Sequence, residues 1–322
     1  MIITRTPHRL SLVGGGTDHP AWYNEHPGAC IGFAVKLYCY VALRALPPYF
    51  PGYRHRFSWS RIELLDDHAA STHPAMRAVF ADKCVEEGLE VHHFADVPAR
   101  AGLGSSSAFV VGLLNALGVY RSGTADERAY LAREAIRLER DVMRETVGDQ
   151  DQYLCALGGV NRLDFAVGEP ARITPLAISA HILDHLTLFY TGLQRNASEI
   201  EARKVARKKD LTYLYNLVDE TEGILVSGDP CRLGEIFNFA WEVKRSLDPA
   251  VTNDHIDSIY KCGIAAGATG GRLVGAGGGG FFLFCRSPDK AAALSAALSG
   301  LIEVRPEIDH EGTKVLPVNG ET

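Results

Sequence analysis

Three glycine clusters constrain this chain more than any other feature: Gly14–Gly16, the pair Gly102 and Gly104 ahead of three serines, and Gly275 with Gly277–Gly280. Such runs suit neither a helix interior nor a strand interior, because glycine loses the most backbone freedom on being ordered there. They belong to loops that turn sharply or that bring backbone close to a ligand. The second cluster, "PARAGLGSSSAF" (98–109), runs straight into an apolar stretch. A loop that opens a helix in this way offers unpaired N–H groups and a partial positive charge to an anion. Each such contact is worth only about 0.3–2 kcal/mol, so several must act together to hold a polyphosphate. A serine N-cap on a core helix is the structural alternative. Two other phosphate loops are excluded. A GxxxxGK[ST] loop needs the dipeptide Gly-Lys, which never occurs. Gly275, Gly277 and Gly280 fit GxGxxG, but they run into "FFLFC", a strand, where a dinucleotide loop must open a helix.

Around these loops the pattern is α+β. Residues 1–14, 28–46 and "HRFSWSRIELL" suit strands, with a proline-interrupted loop over 45–54. "HPAMRAVFADKCVEEGLEV" predicts a helix followed by a strand, and "AFVVGLLNALGVYR" a buried helix. Leu131, Ala135, Leu138 and Val142 recur at helical spacing and predict one helix over 125–148, stopped at Gly148. From residue 186 a second unit of strands and helices begins, without a low-complexity linker or a fixed-period repeat. The expected division is 1–180 and 181–322.

Composition narrows the partners. A net charge of −6 argues against general nucleic-acid binding, and no apolar window is long enough to span a bilayer. Seven scattered cysteines without a CxxC pair give neither a disulfide framework nor a zinc ribbon, and suit a reducing cytoplasm. The start lacks the basic-then-apolar plan of a secretory signal. An acidic chain binds phosphorylated ligands through a few placed Arg or Lys residues, backbone N–H groups and a metal ion.

"TPHRLSLVGGGTDHP" (6–20), "VPARAGLGSSSAF" (97–109) and "GGRLVGAGGGGFFLF" (270–284) resemble, in order and spacing, the three motifs of the GHMP kinases. That family includes galactokinase, homoserine kinase and mevalonate kinase. The resemblance implies a two-domain fold, with an N-terminal domain like ribosomal protein S5 and a ferredoxin-like α/β-plait C-terminal domain. It implies ATP and Mg²⁺ as cofactors. Gly102, Leu103, Gly104, Ser105, Ser106 and Ser107 would wrap the ATP phosphates. Ser106, with Ser105 as the alternative, and Glu139 would hold the magnesium. "GDQDQY" (148–153) matches the family's Gly-x-x-Asp-Gln, which makes Asp151 the catalytic base, with Asp149 as its competitor and Arg9 as the basic residue beside it. Arg100 stands where small residues are common in the family; it either adds charge to the phosphate site or faces solvent.

The same resemblance speaks to the acceptor. Galactokinase carries a Glu-His pair where this chain has Gly15-Gly16, which deletes hexose contacts. The motifs look most like those of the kinases that phosphorylate D-glycero-D-manno-heptose 7-phosphate on its anomeric hydroxyl. On that reading Gly15, Gly16, Thr17, Asp18, Thr191, Gly192, Arg195, Gly277 and Gly278 face the substrate. Arg195, Lys244 and Arg245 are the candidates for its 7-phosphate, whereas "RKVARKKD" (203–210) reads as a solvated helix face. "HILDH" (181–185) has metal-like spacing but no third ligand. The expected partners are therefore ATP and a phosphorylated sugar, and a homodimer is an open alternative to a monomer.

Overall fold

A computed structural model describes residues 1–50, 52–179, 181–194, 200, 202–203, 211–230 and 232–317. Two sheets organise it. The first has eight strands in the order β12-β1-β2-β5-β3-β4, with β6 pairing the first half of β2 and β7 pairing β6. Its long pair is β1 (Ile2–Val13) and β2 (Gly28–Ala45), antiparallel, with Arg9 opposite Ala34. The remaining members are β3 (His55–Ser58), β4 (Ile62–Leu65), β5 (Leu89–Ala95), β6 (Val160–Phe165), β7 (Arg172–Pro175) and β12 (Lys314–Leu316). The second sheet is fully antiparallel in the order β11-β8-β10-β9, formed by β8 (Leu186–Tyr190), β9 (Ala268–Leu273), β10 (Phe281–Arg286) and β11 (Ile302–Val304). Counted along the chain that order is 4-1-3-2, the arrangement of a ferredoxin-like plait.

Apolar residues sort onto both faces of each sheet. The helix Ser105–Ser122 lies on one face of the first sheet, packing Val110, Val111 and Leu113 with Val41, Leu43, Phe57 and Phe80. A Cβ at Gly112 would lie 2.9 Å from the Thr6 hydroxyl, so helix and strand meet closely there. The opposite face presents Leu10, Leu12, Ile31 and Phe33 to a second cluster with Leu188, Leu217, Phe237, Phe281 and Leu283. β10 alternates as a strand must: Phe281, Leu283 and Cys285 join that cluster, while Phe282 and Phe284 join a third with Phe189 and Trp241. Burial on both faces explains the near-continuous apolar run of β10, all six of whose residues are buried.

The predicted 125–148 helix is shorter than its periodicity suggests. It is α-helical over Arg128–Arg137 and closes with a π turn over Leu138–Val142. The Met143 N–H donates to Leu138 O at 2.9 Å, a five-residue step. Leu131, Ala135 and Leu138 are buried as expected, but Val142 is 39% exposed. The extra residue in the turn breaks the 3.6-residue pattern. The proposed division at 181 falls between β7 and β8, and β12 lies beyond it on the first sheet, with Thr4 opposite Val315.

Candidate active site

The serine loop bends through two left-handed glycines, Gly102 at φ +83° and Gly104 at φ +72°, and Gly104 is the N-cap of the helix Ser105–Ser122. The first helical hydrogen bond runs from Ala108 N–H to Gly104 O at 2.9 Å. The N–H groups of Ser105, Ser106 and Ser107 therefore lie outside the helical ladder, at the positive end of an 18-residue helix. Arg100 is exposed and takes φ +64°. The third glycine cluster supports the loop from behind. A Cβ on Gly275 would stand 2.8 Å from Gly102 Cα, and the Phe281 N–H donates to Ala101 O at 3.2 Å. Backbone packs on backbone here, which only glycine permits.

Arg9 and Asp151 meet at this loop. Asp151 sits in the first turn of the helix Gln150–Leu157, and its carboxylate accepts from Arg9 Nε at 2.7 Å and Nη2 at 2.5 Å. Arg9 Nη1 also donates to Gly102 O, and the Arg9 N–H to Leu103 O at 3.1 Å. A Cβ on Gly104 would lie 3.5 Å from Asp151 Oδ2. The carboxylate thus stands beside the mouth of the serine loop, and its side chain keeps 26% exposure, whereas Arg9 is buried. Burial opposes the guanidinium charge, but the charge and hydrogen bonds of Asp151 outweigh it and hold Arg9 above its ordinary value. Asp149, the competitor, is engaged elsewhere: it accepts from Tyr23 Oη at 2.9 Å and from Arg140.

Glu139 is carried inward by the π turn and has no solvent exposure. Its partners are the Ser107 hydroxyl, at 3.0 and 3.1 Å, and Gln152 Nε2. Ser106 is exposed, so the serine that meets Glu139 is Ser107 and not Ser106. Burial lifts the Glu139 carboxyl to about 7; Gln152 and Ser107 offset this in part, and nearby Glu145 adds to it. Among the described residues, Ser105 Oγ and Gln152 Oε1 are buried without a partner. One carboxylate and neutral oxygens from neighbouring turns make an all-oxygen donor set that fits a hard divalent cation whose remaining ligands are phosphate oxygens and water. No group of three or more His, Cys, Asp or Glu among the described residues could hold a metal by itself. The histidines of 181–185 are used within the protein, His181 by Ser179 and Gly228 O, and His185 by His181 O.

The expected acceptor residues divide. Gly15 and Gly16 border the site, with Gln150 Nε2 3.3 Å from a Cβ on Gly15 and Leu211 Cδ1 3.4 Å from one on Gly16. Gly192 faces open space. Thr17 does not reach a cleft: it is fully buried and bonds Gly14 O at 2.8 Å and Ala29 O at 2.7 Å. Asp18, 3% exposed, accepts from the Gly16 N–H at 2.8 Å and Gln150 Nε2 at 3.0 Å, so it braces the first loop against Asp151's helix. Thr191 donates to Gly280 O at 2.8 Å. Gly277 and Gly278 are held on Val251, whose carbonyl accepts from the Gly278 N–H at 2.7 Å. Arg195 lies outside the described residues. Lys244 Nζ donates to Leu273 O at 3.1 Å and to Gly275 O, and Arg245 pairs with Glu242 and Asp257. One basic residue escaped the motif reading. Arg272 is buried, donates to Leu12 O, and is lowered to about 10 by burial and by Arg9. Its place two residues before Val274 gave no signal of that proximity.

Residues 69–159 match the GHMP kinases N terminal domain, and residues 222–302 match the GHMP kinases C terminal. The chain belongs to the GHMP kinase family. It is a phosphotransferase with an alcohol group as acceptor. It is 29% identical over 317 residues to a D-glycero-alpha-D-manno-heptose 7-phosphate kinase of Campylobacter jejuni, covering 92% of this chain and 93% of that one. It is 25% identical to the bifunctional fucokinase/GDP-fucose pyrophosphorylase of Arabidopsis thaliana, over 91% of this chain and 30% of that protein. The fold matches the crystal structure of a D-glycero-D-manno-heptose 1-phosphate kinase from Bacteroides thetaiotaomicron with a TM-score of 0.77, at 21% identity, covering 99% of this chain and 100% of that one. Among the described residues, no helix is long and apolar enough to cross a membrane.

Proposed function

We propose that this GHMP kinase is a sugar kinase that transfers the γ-phosphoryl group of ATP to the anomeric hydroxyl of D-glycero-D-manno-heptose 7-phosphate. The product would be the 1,7-bisphosphate, a precursor of nucleotide-activated heptose for surface polysaccharide, made in the cytoplasm. The observation that carries the reading is the Arg9–Asp151 pair standing against Gly104, at the mouth of the phosphate loop. The Campylobacter relative supports the choice of sugar.

In this scheme the Ser105–Ser107 N–H groups bind and orient the phosphates at the helix end. Asp151 accepts the proton of the acceptor hydroxyl as it attacks, and Arg9 fixes the carboxylate while remaining close enough to stabilise the developing alkoxide. Mg²⁺, held by Glu139 with Ser105 or Ser106, would neutralise charge on the phosphate oxygens. Asp151→Asn keeps the shape and removes the base, and a positioned base is worth about 10²–10⁴-fold in rate. Turnover of the variant at the wild-type rate would take Asp151 out of this role.

A non-phosphorylated sugar such as fucose is the second reading, favoured by Lys244 and Arg245 being turned to protein acceptors. Measuring ADP release with heptose 7-phosphate, fucose, mannose and galactose separates the two. A higher kcat/KM for a free sugar than for the heptose phosphate would decide for the second.

A further inference from the structure

One buried charge at this site has no counter-charge. Arg272, near the end of β9, is 6% exposed, and among the described residues its guanidinium makes a single hydrogen bond, from Nη1 to Leu12 O. That carbonyl is available because β1 bulges there. Ser11 faces Gly32 and Val13 faces Ile31, which leaves Leu12 without a partner on β2. Arg272 Nε is buried without a partner, and no carboxylate among the described residues pairs with the side chain. Burial and the neighbouring Arg9 lower the guanidinium to about 10, and no acidic group offsets them, so it keeps its charge at neutral pH. Arginine is rarely buried unless paired, because an uncompensated charge is costly in a poorly solvated interior. Arg9 is answered by Asp151. Arg272 is not.

The place of that charge points to what compensates it. A Cβ on Gly102 would lie 2.8 Å from the carbonyl of Val274, two residues beyond Arg272, so the end of β9 backs the serine loop. Leu12 is three residues along β1 from Arg9, whose N–H donates to Leu103 O and whose Nη1 donates to Gly102 O. The Arg272 side chain thus runs from the strand behind the loop to the strand that carries Arg9. A fixed charge needs no contact to act, since in a poorly solvated interior its field reaches neighbouring anions with little screening. We propose that Arg272 is a positioning residue whose unpaired charge, acting through space, draws the nucleotide's phosphate chain onto the serine loop. Arginine suits this task, because a buried lysine sheds its proton and with it the charge. The inference rests on the use of ATP proposed above and is independent of the sugar.

Removing the charge tests it. Arg272→Met does so with an unbranched apolar side chain, and Arg272→Gln, which keeps a donor, gives the same readout if the Met variant does not fold. AMP, ADP and ATP, whose negative charge rises in that order, are titrated into wild type and variant in metal-free buffer. The dissociation constant should rise about twofold for AMP and roughly tenfold or more for ATP, because the lost attraction scales with ligand charge. Equal losses for the three nucleotides would reduce Arg272 to a structural tie between β9 and β1, and unchanged affinities would leave its charge without a role; either result overturns the proposal while the ATP reading stands. A wild type that binds none of the three nucleotides removes the ATP reading and this inference with it.

Discussion

Glu139 lies without solvent exposure between Ser107 and Gln152, and burial raises its carboxyl from 4.5 to about 7. Between those values the folded chain holds a proton that the unfolded chain has released. The contribution of Glu139 to stability is therefore greatest below about pH 4.5, declines as pH rises towards 7, and is flat above it. Glu139→Gln cannot titrate. In metal-free buffer its melting temperature should rise relative to the wild type across that window, and a constant difference from pH 4 to 8 would refute the burial argument. Gly104 makes a second prediction. Its φ of +72° is left-handed, which costs an ordinary residue about 1–2 kcal/mol, and a Cβ there would press on Arg9 Cγ at 3.0 Å. Gly104→Ala should lower the urea midpoint accordingly and weaken ATP binding by shifting the N-cap that aims the Ser105–Ser107 N–H groups. Chemical denaturation and nucleotide titration read the two effects separately.

The working parts are elements held in register with one another. The helix Ser105–Ser122 aims its N-terminus at the site because Gly275 and Phe281 clamp the loop before it. Gly275→Ala, although on the second sheet's loop, would set a Cβ 2.8 Å from Gly102 Cα. It should raise the ATP KM at least as much as a serine-to-alanine change in the loop itself; an unchanged KM would mean the clamp is dispensable. The identity of these elements was legible in the sequence, since glycine before serine before an apolar run has few other uses. The π turn was not. Its residues keep a helical apolar period through Leu138, and only the packing of Glu139 against Ser107 and Gln152 favours the extra residue. For the same reason the contact of Ser107 with Glu139 was beyond reach of the sequence: consecutive helical residues point about 100° apart, and the rotation of a helix is set by what it packs on.

At the scale of the molecule, one apolar cluster joins both sheets through Leu10, Leu12 and Phe33 on one side and Leu188, Phe281 and Leu283 on the other. The chain after the second sheet returns to the first through β12, and Thr313 just before it bonds Thr6 at 2.8 Å and Asn115 at 3.2 Å. Calorimetry of the whole chain should show a single cooperative transition, and residues 1–180 alone should be insoluble or molten because the Leu10 face is then bare. Two resolved transitions would show the halves to be independent. The sequence alone determined the family, through the order and spacing of three glycine motifs, and the resemblance marked Arg9, Glu139 and Asp151 as candidates, because motif order and residue type are carried by the chain itself. Tertiary structure decided which of those residues meet. Thr17, Asp18, Lys244 and Arg245 look like ligand groups in the sequence, yet their hydrogen bonds are spent on the protein. Ser11, Gln150 and Arg272 look ordinary and lie beside the site. Partnership across long chain separations depends on how sheets stack and helices rotate, and no single stretch of sequence encodes that.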